Sequence, residues 1–410
     1  MKKATVLFIL LACAVSAFAS MELTSARVYR KQGDFIKALN FYNQALQKEP
    51  GNLEALMERG EIYHDLAIDA SKGDVAKQVT NNAANPEELL LDRSLADFAK
   101  ASVAANPKEE GTVKKNKKKI DEILQTTWNH YYFQAVVQDS LHKKAISENP
   151  ASPDAKNFLF AGLSCLNKAS KVLPDKWNSY GFKAQLYSRM DSTEASARNW
   201  ELAIAKIKMA DKAKQETEEY KMGLAIAKEA YLVDCYNLGR SNDVLVMSDD
   251  ILKDDPKNIN AIQLKANTLA KMTTDTSLSE AKRDSLKQVA IKALQSAEQA
   301  DTTNADIIYT IAQFKLQLAD TAGAINAFKD VLRINPKDKD VSFVLGVLYL
   351  EGGSFVDTKK AKDVFEGITK DFPDEGKAWI NYGISLIRLG DNAKGKEAID
   401  RGNALLKGEK

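Results

Sequence analysis

A chain of 410 residues, 44% of them hydrophobic, has ample material for a buried core, and its length alone would suggest two or three domains. Lys and Arg number 58 against 56 Asp and Glu, a net charge of +2, so nothing in the charge balance points to nucleic acid or an anionic surface, and neither is expected as a partner.

The chain opens with Lys2-Lys3, an apolar stretch from Ala4 to Val15, and Ala17-Phe18-Ala19. That order is a bacterial secretory signal over residues 1–19, with cleavage expected after Ala19 and an exported, periplasmic or secreted product. The run is too short for a transmembrane span, and no other segment approaches the length one needs. A competing reading takes Leu10-Leu11-Ala12-Cys13 as a lipoprotein box, which would tether the chain to the outer membrane through Cys13. Leu11 is unusual there, and the residues after Cys13 stay apolar where a tether would be polar.

From residue 20 onward small and apolar residues recur at spacings of three and four, in blocks that return about every 34 residues. The N-terminal blocks, 20–107, hold a copy from Ser20 to Asn52 and a second from Leu53 whose helices carry Gly60, Tyr63, Phe98 and Ala101, interrupted by a polar insertion at 66–90. Residues 108–224 are divergent: a long helical pattern from Lys114 to Ile146, a helix from Asp154 to Val172, a copy from Trp177 to Ala210, and a further helical pattern from Lys206 to Gly223. The C-terminal blocks, 225–407, are Ala225 to Asn258, Ile259 to Asn304, Ala305 to Asp338, Lys339 to Glu375 and Gly376 to Lys407, before a tail at 408–410. Polar stretches at Leu66–Leu90, Ser147–Asp154 and Thr273–Lys282 read as loops inserted into this frame. No block can bury its own apolar face, so neighbours must stack, and the repeats replace separate domains by one elongated array.

The clearest block, Ala305 to Asp338, carries Ile311-Ala312, Ala324, Phe328 and Pro336 at fixed offsets, with Lys315 and Val331 departing from the pattern. The first block has Ala26, Tyr29, Gly33-Asp34, Ala38, Tyr42, Ala45 and Pro50, and the last has Trp379, Tyr382-Gly383, Gly390-Asp391 and Gly395. These slots resemble the tetratricopeptide repeat, in which small residues let two antiparallel helices approach and large ones fill the space between them. The resemblance implies an all-α, right-handed superhelical solenoid of about nine helix-turn-helix repeats with inserted loops. It also implies a protein or peptide partner, held on a concave face lined by the first helix of each repeat.

The residues that fall on that face change character along the chain. Early repeats present Arg27, Arg30, Lys31, Glu61, His64 and Asp65, and middle ones Gln185, Arg189, Gln263, Asn267 and Lys271. The last three present Tyr309, Leu316, Phe343, Val347, Leu350, Ile380, Ile384 and Ile387. An open apolar stripe of that extent needs a cover. Three covers are expected: a partner peptide or helix in the groove, burial by superhelical curvature, or self-association through the uncapped C-terminal repeat.

Signs of chemistry are sparse. Outside the leader only Cys165 and Cys235 occur, in repeats too far apart for a disulfide, and both read as small buried apolar groups. His64, His130 and His142 show no metal-ligand spacing, phosphate loops and nucleophile elbows are absent, and neither cofactor, metal nor catalysis is expected. Lys114, Lys115, Lys117, Lys118 and Lys119 form one basic run that reads as a solvated helix start. Trp128, Tyr131 and Tyr132 make the densest aromatic cluster; exposed on one face they would suit a glycan-binding protein, the alternative to an interaction scaffold.

Overall fold

The computed structural model describes residues 21–287, 289–290 and 304–408; the expected leader 1–19 with Cys13, residues 291–303 of the 259–304 repeat and the end of the tail lie outside the described residues. All regular structure among the described residues is helical, and the fold is a solenoid of helical hairpins in two compact units that divide after Asp191. The amino-terminal unit contains α1 (21–31), α2 (Phe35–Lys48), α3 (Leu53–Ile68), α4 (Gly73–Val79), α5 (Pro86–Ala101), α6 (Glu110–Glu148), α7 (Asp154–Val172) and α8 (Trp177–Arg189). The carboxy-terminal unit begins with α9 (Thr193–Met209), α10 (Lys212–Gln215), α11 (Glu218–Asn237), α12 (Ser241–Asp254), α13 (Ile259–Thr274) and α14, which starts at residue 280. It continues with α15 (Ala305–Gln317), α16 (Thr321–Ile334), α17 (Lys339–Glu351), α18 (Thr358–Asp371), α19 (Gly376–Arg388) and α20 (Asn392–Gly408).

Several helices start where the sequence supplies a side-chain oxygen for an orphan amide. Asp34, Asn52, Asn258, Asp320, Asp338 and Asp357 accept a backbone N–H from three residues ahead at 2.9–3.1 Å. A cap of this kind stabilises a helix by about 1 kcal/mol. The turn between the helices of a hairpin needs a left-handed residue: Gly33, Gly239 and Gly390 stand there at φ 79°, 70° and 93°, and Ala319 takes the same slot at φ 60°. Gly353, in the turn after α17, likewise has φ 60°.

Small residues then set how near the paired helices come. A Cβ at Gly60 of α3 would lie 2.8 Å from the Phe98 ring of α5, and one at Gly346 of α17 would lie 2.8 Å from the Phe365 ring of α18. In each hairpin the ring occupies the space the missing side chain leaves. The slots read from the 305–338 repeat behave accordingly: Ala312, Ala324, Phe328 and Val331 are all buried. In the amino-terminal unit Tyr42, Phe98 and Tyr131 anchor one core, and in the carboxy-terminal unit Phe328 and Phe365 anchor another.

Three sequence expectations change in detail. Residues 66–90 form no free loop; a 3-10 turn at Ala70–Lys72 and α4 fold back, burying Ala76 in the core while Arg93 donates to the Val79 carbonyl at 3.2 Å. The helical pattern from Lys206 to Gly223 is not continuous, because Ala210 turns to ψ 157° and Asp211 caps the short α10 through the Lys214 amide. The long pattern from Lys114 does form one helix, α6, of 39 residues, with only a short link at 149–153 before α7.

Candidate partner-binding surface

The expected site lies on α15, α17 and α19, the first helices of the last three hairpins. Their apolar residues divide into three groups. Tyr309, Leu316, Phe343, Val347 and Ile384 are half-buried and pack against the carboxy-terminal core from its edge. Tyr309 leans on Phe328 with ring centroids 5.9 Å apart, and Phe343 meets Phe365 edge to face at 5.5 Å. The Tyr309 hydroxyl accepts a hydrogen bond from Gln313 Nε2 at 2.8 Å, which places its polar end on the exposed side.

Leu350 is 1% exposed, so it is a core residue and lines no groove. Ile380 is half-buried and Ile387 is 40% exposed, but each also touches the next helix: the Cγ1 of Ile380 lies 2.7 Å from where a Cβ on Gly402 would stand, and that of Ile387 lies 2.5 Å from the equivalent position on Gly395. Both lean on α20. The cause is the unusual closeness of α19 and α20, in which Gly376 meets Gly402 and Gly383 meets Gly395 so tightly that an added Cβ would approach the opposing carbonyl oxygen to 2.5–2.8 Å. Glycine pairs seven residues apart on both helices were the available signal for this packing, and reading only the first-helix positions missed it.

The equivalent positions of the amino-terminal unit are already paired with one another. Arg27 donates to Glu58 and Glu54 at 2.8 Å each, Arg30 donates to Glu61 at 2.8 Å, and Lys119 of α6 also pairs with Glu61. Hydrogen bonds to Glu58 hold the Arg27 guanidinium above its usual range; burial pulls Arg30 down, but Glu61 outweighs it. Arg59 forks onto both oxygens of Asp97 at 2.7 and 2.8 Å, and the Asp97 side chain is almost fully enclosed. His64 Nε2 meets Thr127 Oγ1 at 2.6 Å, and because that hydroxyl donates to the Ile123 carbonyl, the imidazole is the donor. These polar residues link α1, α3, α5 and α6 to each other.

The aromatic cluster offers no platform for a sugar. Trp128 and Tyr131 are buried, Trp128 donates its indole N–H to Ser179 Oγ at 2.8 Å, and Tyr132 stacks on Trp128 with centroids 4.7 Å apart. The neighbouring Phe133 is widely exposed but stands apart from these stacked rings. Cys165 is half-buried and Cys235 buried, both free thiols that burial pushes up from the usual range. Among the described residues no three His, Cys, Asp or Glu side chains gather as a metal site would require, and no helix is long and apolar enough to cross a membrane. What the surface on α15, α17 and α19 can do is bury apolar groups against half-covered side chains.

Comparison with known proteins supports the repeat reading. The tetratricopeptide repeat family matches residues 23–76 and 309–357, and these stretches are tetratricopeptide repeats. No curated protein matches the sequence. Solved structures with partial similarity include MamA, at 18% identity over 43% of this chain and 94% of that one, with a TM-score of 0.34. YrrB, described as a TPR protein with an unusual peptide-binding site, is 15% identical over 58% of this chain and 91% of its own, TM-score 0.31. The C-terminal part of a TPR repeat-containing protein from Cytophaga hutchinsonii is 14% identical over 66% of this chain and 95% of its own, TM-score 0.46.

Proposed function

We propose that this chain, with tetratricopeptide repeats at 23–76 and 309–357, is a non-catalytic interaction scaffold that holds a peptide or helix of a partner protein on α15, α17 and α19. One observation carries the reading. Five apolar side chains on these first helices remain half-buried, whereas the matching positions at the other end are occupied by ion pairs. A partner's apolar anchors would complete the burial of Tyr309, Leu316, Phe343, Val347 and Ile384, gaining about 25 cal/mol for each Å² removed from water. The Tyr309 hydroxyl at the edge would fix register by a hydrogen bond.

Residues 1–19 support action in the bacterial cell envelope after export, and mass measurement of the mature amino terminus separates cleavage after Ala19 from lipidation at Cys13. The binding reading is tested by affinity capture from envelope extracts, using the wild-type chain and the double variant Phe343→Asp, Ile384→Asp. Partners lost with the variant while helicity and solubility persist are the expected result. If the variant unfolds, these side chains belong to the core, as burial by curvature requires. A concentration-dependent shift of mass in the wild type that the variant abolishes would make the partner a second copy.

A further inference from the structure

The insertion at 66–90 does more than tolerate extra length. Together with α3, α6 and α7 it borders a half-open cavity of about 480 Å³ in the amino-terminal unit, within the range of roughly 300–1,000 Å³ that small-molecule sites occupy. Leu66, Ala67, Ala70, Ala76 and Pro86 give it an apolar wall of mostly short side chains. Opposite them stand Glu87, Tyr131 and Lys168: the buried Tyr131 hydroxyl donates to one oxygen of Glu87 at 3.0 Å, and Lys168 pairs with the other at 2.6 Å while lying 5.4 Å from the Tyr131 ring centroid.

Charge within the lining selects the ligand. Both carboxylates are compensated, Glu87 as above and Asp69 by the Ser71 amide and hydroxyl and by Lys72 at 3.0 Å. Of the two lining lysines only Lys168 is paired with a carboxylate; Lys77 is exposed, and exposed His130 stands on the same lining. The uncompensated charge is therefore positive, beside an apolar wall. From this cavity, its apolar wall and the exposed Lys77 at its edge we infer a binding site for a small amphipathic carboxylate, whose chain lies against Ala67, Ala70 and Ala76 and whose anionic head meets Lys77. The Cys165 thiol, on the same lining, is then covered by the ligand. This site is separate from the proposed partner surface and stands whether or not that reading holds.

Titration calorimetry of the full chain with decanoate, decanol and decylamine tests it. Decanoate should bind at one site, at least tenfold more tightly than decanol or decylamine, and should slow the reaction of Cys165 with a disulfide reagent at least tenfold. Ala70→Phe, at an exposed position that fills the cavity mouth, should abolish both effects with unchanged circular dichroism, and Lys77→Gln should weaken decanoate severalfold without affecting decanol. Equal binding of the three probes, decanoate binding that survives Ala70→Phe, or no decanoate binding to the folded wild-type chain would overturn the assignment.

Discussion

The two ends of the chain solve one packing problem with different chemistry. Residues 21–101 and 305–408 share the same hairpin, the same acidic or amide caps and the same ring set over a glycine, Phe98 over Gly60 and Phe365 over Gly346. Between first helices, however, the amino-terminal repeats use Arg27, Arg30 and their carboxylates, while the carboxy-terminal ones expose edges of Tyr309, Phe343 and Val347. A repeat frame thus fixes where a side chain stands and leaves open whether it serves the array or a partner. The end whose first helices satisfy each other has little left to offer; the end with half-covered apolar groups has.

Substitutions separate the shared frame from the divergent surfaces. Phe365→Ala should cost the most, about 3–5 kcal/mol, because the ring is fully buried over Gly346 and a cavity would replace it. Hydrogen exchange should then rise across α17 and α18 and leave α1 to α5 unchanged; a uniform loss would show that the two ends unfold together. Asp97→Ala comes next, at about 2–3 kcal/mol, since it strands the Arg59 guanidinium beside an enclosed partner position, and urea unfolding of the full chain measures it.

Ala319→Gly works in the opposite direction. The residue sits at φ 60° where other turns carry glycine, so relieving that strain should stabilise the 305–338 hairpin by about 1 kcal/mol, read as slower exchange in α15 and α16. Smallest is the effect of salt. Raising ionic strength shortens the Debye length from about 10 Å at 0.1 M to about 3 Å at 1 M. The half-exposed Arg27–Glu54 pair should lose less than about 1 kcal/mol, and exchange at the carboxy-terminal hairpins should not rise with it.

How much of this was legible in the sequence follows from the range of each interaction. Period, caps and turn glycines are local, so the hairpins and the 39-residue α6 could be read from spacing alone. The folding back of 66–90 could not, because Ala76 and Thr80 are buried only once α4 packs between its neighbouring helices, and a polar stretch gives no local sign of that. The same limit applies to the surface. Of the residues that first-helix position assigns to one face, Tyr309, Leu316, Phe343, Val347 and Ile384 are half-buried at the edge of the carboxy-terminal core, Leu350 is fully buried, and the glycine contacts between α19 and α20 bring Ile380 and Ile387 against α20. Helical phase says which way a residue points; how close the neighbouring helix comes decides whether it is reached.

Hydrogen–deuterium exchange on the complex formed with a captured partner tests the central claim most directly. Binding on the apolar first helices predicts added protection in α15, α17 and α19, with α1 and α3 unchanged. Protection confined to α1, α3 or α6, with none on the three carboxy-terminal first helices, would contradict it.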